Sequence, residues 1–412
     1  MKKSGIEWIG EIPDSWKYFR LKDYYVFEKG KNAATYTQEY IGLHKGEYPV
    51  YSGQTENDGV MGCIDTFDYD LEECLFTTTV GAKVMTPKIL RGKFSLSQNC
   101  LIMNRMKDCN NGYVYYYLFS LFDYAKSLIP TYMQPSLRVA DLNQYGFYVP
   151  NCETQYKIAN YLDEKCGKID ELIANQQGQI DKLKEYKQSV TTEAVTKGLD
   201  KNVPMKDSGI EWTSNIPENW GIVLLSSLFV EHKHKNIGMQ SNNLLSLSYG
   251  KIKRKDINGN EGLLPESFEG YNVIGLGDIV LRLTDLQNDQ RSLRTGLCEE
   301  EGIVTSAYVT LRRRNENLNS KYMHYYLHAF DINKGFYAMG SGVRQGLNYE
   351  GIRKLQILFP SIEEQVTIVE FLEDKCGKID RLIAIKQEKI EKLQEYKKSL
   401  IYEYVTGKKE VV

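Results

Sequence analysis

The chain repeats itself, and the repeat limits what it can fold into more than any other feature. Residues 4–16, SGIEWIGEIPDSW, return at 208–220 as SGIEWTSNIPENW, with 8 of 13 positions identical at an offset of 204. A longer block at 161–198, YLDEKCGKIDELIANQQGQIDKLKEYKQSVTTEAVTKG, returns at 371–408 as FLEDKCGKIDRLIAIKQEKIEKLQEYKKSLIYEYVTGK. There 21 of 38 positions are identical, at an offset of 210. Between the blocks the copies are mostly unalike, with echoes such as YVYYYL (113–118) against YMHYYL (322–327) and Pro150 against Pro360. The period is far too long for a solenoid, so each copy is a domain in its own right. A kept frame around two different middles suggests one task performed on two different targets.

The repeated 161–198 and 371–408 blocks carry the clearest physical signal. Ile169, Ile173, Gln176, Ile180, Leu183, Lys187 and Val190 recur in steps of 4 and 3, and so do Ile379, Ile383, Lys386, Ile390, Leu393, Lys397 and Leu400. That is a heptad seam with polar breaks, and the positions between are Lys, Glu, Gln and Asp, as a solvated face requires. The helix expected over 168–195 would be roughly 42 Å long at ~1.5 Å per residue. Each stripe needs a partner, and the other copy is its nearest match. Two similar halves burying one stripe pair most simply about a two-fold axis, which favours antiparallel helices. The short link 198–207 leaves the parallel arrangement open.

The variable stretches, 17–150 and 221–360, read as strand-rich. Short apolar runs at 47–52, 73–79, 100–105, 278–283 and 303–312 are separated by Gly, Asn and Asp. Helical patches are expected at 113–122 and 322–330, and KIKRK (251–255) followed by DINGN reads as a charged hairpin, either a phosphate contact or a solvated turn. The expected fold class is α+β: two similar domains of mixed strands and helices, with two long antiparallel coiled-coil helices as separators. The boundaries are 1–150 and 201–360 for the variable domains, and 151–200 and 361–412 for the helical spacers.

Composition and motifs exclude more than they assign. Lys plus Arg is 52 and Asp plus Glu 54, so no uniformly basic coat exists, although a local basic face is compatible with this balance. The 30 tyrosines against 14 phenylalanines suit half-wet contact surfaces. The first ten residues lack the apolar core of a secretion signal, no run reaches membrane-span length, and the eight cysteines include no C-x-x-C. The expected setting is cytoplasmic, with reduced thiols. There is no P-loop and no G-x-S-x-G elbow. The ten prolines are never adjacent, so the Pro-Pro signature of amino-methyltransferases is missing. His324 and His328 lack the glutamate of a zinc-protease helix and read as packing residues. Glu185–Lys187 and Glu395–Lys397 mimic a nuclease E-x-K, but alternate helix residues diverge rather than converge. No catalytic residue and no metal site are expected.

The SGIEW markers, the internal KEYKQSVTTEAVTKGLD followed by NVPMKDSGIEW, and the terminal heptad copy resemble the specificity subunits of type I restriction-modification systems. YPVYSGQTENDGVMGCID, GKFSLSQNCLIM and GIVTSAYVTLR look like parts of that family's target recognition domains. The resemblance covers the ordering of the whole chain and implies a non-catalytic subunit. Each target recognition domain would read one half of a bipartite sequence in double-stranded DNA, with the helices as spacer. Two methyltransferase subunits would dock on the frame, bind S-adenosylmethionine and methylate adenine N6. Two motor-nuclease subunits using ATP and Mg would complete the restriction enzyme. A scaffold that assembles partners through its heptad helices, without reading bases, is the alternative.

Base readout needs Arg, Asn or Gln at groove edges, and phosphate positioning needs Lys, Arg and hydroxyls. In the first domain those residue types crowd together as Lys83, Lys88, Arg91, Lys93, Ser95, Ser97, Gln98, Asn99 and Arg138. In the second they are Arg282, Arg291, Arg294, Thr305, Ser306, Tyr308 and Arg344. Trp8, Trp16, Trp212 and Trp220 stand at matched places and either anchor an interface or cap each core. The ~42 Å helix is of the order of one DNA turn, ~34–36 Å, so its length is expected to set the gap between half-sites.

Overall fold

The computed structural model describes residues 1–411 except 55, 82, 258–264, 266, 287–288, 290–292 and 340–345. Two compact units emerge: unit 1 is 1–177 with 387–412, and unit 2 is 178–386. Mixed strand and helix content characterises both.

Unit 1 holds a six-stranded sheet. Its spatial order is Tyr25–Lys29, Cys100–Arg105, Tyr69–Thr78, Lys88–Leu96, Lys45–Tyr51 and Val60–Ile64. Neighbours are antiparallel except Lys88–Leu96 with Lys45–Tyr51, which run parallel. A helix, Asn111–Ser127, begins where the Asn110 side chain accepts the Tyr113 N–H. It buries Tyr113, Tyr117 and Phe122. Buried hydroxyls need partners. Tyr113 donates to the Tyr148 carbonyl at 2.7 Å, Tyr117 to that of Gly146 at 3.1 Å, and Tyr116 to Asp163 at 2.7 Å. These tyrosines of the excess therefore serve the core.

Unit 2 repeats this plan with a smaller sheet: Phe229–Glu231, Val309–Arg313, Ile279–Leu281 and Thr295–Leu297, all antiparallel. Register is kept along with topology. Tyr25 opposite Arg105 and Leu75 opposite Met103 in unit 1 correspond to Phe229 opposite Arg313 and Ile279 opposite Leu311. The helix Ser320–Ile332 is capped by Asn319, as the first was by Asn110.

Two locks recur in both units. Lys2 Nζ donates to the carbonyls of Asp14 and Trp16, and Lys206 Nζ to those of Glu218 and Trp220. Gln155 accepts the Asn110 N–H and donates to the Pro150 carbonyl, while Gln365 accepts that of Asn319 and donates to Pro360. Trp16 and Trp220 are buried, and the Trp220 indole donates to Glu364 at 2.9 Å. Trp8 packs edge-on to Tyr117 and stacks on Tyr124, and Trp212 packs edge-on to Tyr326 and Phe330. The four tryptophans close the cores.

The long helices are Cys152–Lys197, 46 residues, and Ile362–Val405, 44 residues. Both exceed the 28 residues expected from the heptads. The reason is that burial continues upstream at Gln155, Ile158, Leu162 and Cys166, and at Gln365, Ile368, Leu372 and Cys376. Along the heptad stretch Ile169, Ile180, Ile379, Ile390 and Leu400 are buried; Ile173, Leu183, Val190, Ile383 and Leu393 are half-buried. Within unit 1, Lys397 Nζ reaches both Asp170 oxygens at 2.7 Å and Tyr161 packs on Tyr404. Within unit 2, Lys187 Nζ reaches both Asp380 oxygens at 2.7 Å and Thr191 meets Cys376. In each unit one helix ascends as the other descends, so the segments pair antiparallel. The polar breaks at Lys187 and Lys397 are charge pairs across that pairing.

Two expectations about strands are corrected. The run 303–312 forms two strands, Gly302–Val304 and Val309–Arg313, because Thr305 starts a turn in which its carbonyl accepts the Tyr308 N–H at 3.2 Å. Lys251–Arg254 pairs backward with Leu245–Ser248 through a turn at Tyr249 and Gly250. The turn therefore precedes KIKRK, whose first four residues form the hairpin's second strand, and residues 258–260 of the DINGN run lie outside the described residues.

Candidate nucleic-acid interface

In unit 1 the strand Tyr69–Thr78 runs into a loop that backbone hydrogen bonds tie to two other segments. Met85 N–H donates to Thr78 O at 3.0 Å, Thr79 N–H to Asn99 O at 2.8 Å, and Leu137 N–H to Thr79 O at 2.8 Å. Thr78 hydroxyl donates to the Lys83 carbonyl. Residues 78–81 and 83–85, 97–99 and 136–138 therefore form one cluster, which brings together Lys83, Ser97, Gln98, Asn99 and Arg138. Gln98 and Asn99 are exposed. Asn99 holds φ +64°, a left-handed conformation that its short polar side chain tolerates. Arg138 is exposed and pairs with Asp141 at 3.1 Å, which raises the guanidinium pKa further.

The remaining first-domain candidates lie elsewhere. Lys88 forms an ion pair with Asp58. Arg91 grips Glu73 at 2.5 Å, and Lys93 lies over the Phe67 ring at 4.7 Å. Ser95 is wholly buried and its hydroxyl accepts the Asp68 N–H at 3.1 Å, so it supports the sheet and is unavailable to a ligand. Ser97 is also buried, whereas its neighbours Gln98 and Asn99 are the exposed side chains of that turn.

Unit 2 rebuilds the cluster from different residues. Leu347 N–H donates to Leu283 O at 2.8 Å, the counterpart of Leu137 on Thr79. The strand Ile279–Leu281 leads into Arg282, and the turn at 305–307 precedes Val309–Arg313 as 97–99 precedes Cys100–Arg105. Arg282, Thr305, Ser306 and Tyr308 thus occupy segments equivalent to the first cluster. Arg282 lies 3.7 Å from Asp289. Ser306 is exposed, whereas Tyr308 is half-buried and burial pushes its phenol up. Arg291 and Arg344 lie outside the described residues.

Arg294 is the clearest correction. It is completely buried, and its guanidinium donates to the carbonyls of Arg282 at 3.1 Å, Thr284 at 2.7 Å, Asp285 at 3.3 Å and Asp289. Its own N–H reaches Asp331 at 2.7 Å. Rather than touch a ligand, it fastens the loop that starts at Arg282. A planar fork of five donors suits this carbonyl-gathering role.

Sequence reasoning missed the loop 130–134 (Pro-Thr-Tyr-Met-Gln), which is exposed throughout and precedes Ser136, itself bridged to Val80. An apolar Tyr-Met pair between prolines was the available signal. His324 and His328 pack with ring centroids 5.8 Å apart, and burial holds both imidazoles down at about 4. Among the described residues no three His, Cys, Asp or Glu side chains converge as a metal site would require. The clusters offer amides, hydroxyls and guanidinium groups on solvent-facing loops, which is recognition chemistry.

The family model for the type I restriction modification DNA specificity domain matches residues 13–197 and 299–395, more than half of the chain. The chain belongs to this family. As a type I specificity subunit it carries two such domains for a bipartite target, and such subunits are non-catalytic. It is 23% identical to the type I restriction enzyme MjaVIII specificity subunit of Methanocaldococcus jannaschii over 96% of this chain and 93% of that one. It is also 31% identical to the MpnII specificity subunit of Mycoplasma pneumoniae, over 35% of this chain and 42% of that one. A chain from a solved type I R-M system, studied for complex assembly and conformational transition, shares the fold. The TM-score is 0.66 at 12% identity, covering 96% of this chain and 99% of that one. Among the described residues no helix is long and apolar enough to cross a membrane.

Proposed function

We propose that each loop cluster reads one half of a bipartite DNA sequence, with residues 1–150 and 201–360 as the two readers. The helices of 151–200 and 361–412 act as an antiparallel coiled-coil spacer. The observation that carries this reading is the pair of topologically equivalent clusters built from unlike side chains: Lys83, Gln98, Asn99 and Arg138 in one unit, Arg282, Thr305 and Ser306 in the other. Equal placement with unequal chemistry is what two different half-sites demand. Two methyltransferase subunits supply S-adenosylmethionine and methylate adenine N6. Two motor-nuclease subunits with ATP and Mg complete the restriction enzyme, in the cytoplasm. This chain contributes binding and spacing only.

The test is binding of a defined duplex by the chain assembled with its methyltransferase, measured against salt. Sequence-selective binding that weakens with added salt supports the reading. Assembly without DNA selectivity supports the scaffold instead. Inserting residues within 168–195 should change the gap between half-sites and leave the half-sites themselves unaltered.

A further inference from the structure

We propose that the hairpin 245–254 of unit 2 is a DNA-contacting ribbon whose tip residue, Tyr249, stacks against the duplex. The proposal rests on the reading of the chain as a DNA-specificity subunit and adds a contact element that neither loop cluster contains.

Strand pairing sorts the hairpin into two faces. Leu247 opposes Ile252, while Ser248 opposes Lys251 and Ser246 opposes Lys253. Directly opposite residues share a face, and faces alternate along each strand. Leu247 and Ile252 press on Gly296 so closely that a Cβ there would lie 2.6 and 2.9 Å from them. This fixes the apolar face inward. The other face carries Ser246, Ser248, Lys251 and Lys253, with Lys251 and Lys253 exposed. No acidic residue occurs from 244 to 255. Hydroxyls and ammonium groups without carboxylates are the donors that phosphate contacts use, and a two-stranded ribbon fits the major groove.

The tip gives the sharper argument. Tyr249 and Gly250 both have positive φ, +48° and +76°. A two-residue turn of this kind favours Asn, Asp or Gly at its first position, and a bulky aromatic side chain is strained there. Tyr249 gains no packing in return, since it is 80% exposed. Gly250, by contrast, is held against His328 and Leu293, where a Cβ would meet them at 3.1 and 3.2 Å. That contact sets the tip beside the residue preceding Arg294, at the base of the Arg282 loop. Strain kept without internal compensation points to a contact outside the chain. Aromatic stacking on bases and lysine contacts to phosphate are the matching interactions.

The experiment uses the chain assembled with its methyltransferase subunits on the duplex identified by methylation mapping. Tyr249→Asn, which suits the left-handed turn, should raise the melting temperature yet weaken duplex binding about tenfold. Tyr249→Trp should retain the affinity. Lys251→Gln and Lys253→Gln should each flatten the slope of log Kd against log salt by about 1. Wild-type affinity in Tyr249→Asn would overturn the proposal while leaving the specificity reading intact. So would a loss of methyltransferase assembly in place of DNA affinity, because it would make the hairpin a protein contact. Failure of the wild-type complex to bind any duplex would overturn both.

Discussion

Gln155 in unit 1 makes its two hydrogen bonds at 2.8 and 2.9 Å, and Gln365 in unit 2 makes the same two at 2.9 and 3.0 Å. The loops that follow the central strands share a hydrogen bond, Leu137 to Thr79 and Leu347 to Leu283, and almost nothing else. In unit 1 the loop after the central strand is tied through Thr78 and Asn99; in unit 2 it is fastened by a buried arginine. The frame is held to geometry and the loops are free to change chemistry. A duplicated protein can then present two different surfaces from one scaffold.

The largest expected effect tests the loop side of this comparison. Arg294→Met leaves the carbonyls of the Arg282 loop without their side-chain donor, at a cost of about 4 kcal/mol. Urea unfolding should show the loss, while the first half-site is still read. Unchanged stability would mean that the Arg282 loop holds itself.

A second difference between the units is acid sensitivity. The folded pKa of His324 and of His328 is about 4 against 6.5 unfolded, so the unfolded chain binds more protons between those values. Stability is full above about 6.5 and falls as pH drops towards 4. Asp331 opposes this, because burial raises it to about 6 and protonation favours its folded form. The net loss between pH 7 and 4 is on the order of 3 kcal/mol. His328→Phe should flatten the melting curve against pH; an unaltered acid limb would move the origin elsewhere.

The frame side of the comparison predicts equality. Gln155→Ala and Gln365→Ala each strand a cap N–H and a proline carbonyl, and each should cost about 2 kcal/mol in chemical denaturation. Unequal losses would break the equivalence of the two locks. The smallest effect belongs to the charge pairs across the helices. Asp170→Asn and Asp380→Asn remove partly solvated pairs and should each cost about 0.5 kcal/mol, less at high salt.

Legibility in the sequence followed the same division. The repeat, the heptad positions and the two tyrosine-rich helices were readable because matching residues return at corresponding places. The heptads alone marked the first helix only over 168–195, because upstream Gln155, Ile158 and Leu162 carry the periodicity with a polar lock as its first member. Ser95 and Arg294 read as surface donors, and the sheet buried one while the loop wrapped around the other. Such burial depends on contacts between distant segments, which local composition does not encode. Thr305-Ser306-Ala307-Tyr308 read as strand because alternation persists through a turn made by backbone hydrogen bonding.

The most direct test of the account is a genome-wide map of methylated adenines in the host carrying either the native chain or one with Lys83→Gln, Gln98→Ala and Asn99→Ala together. A two-reader protein on a kept frame predicts that one half of the recognised sequence relaxes or disappears, with the other half and the gap between them unaltered. A map in which both halves shift together, or neither does, would contradict it.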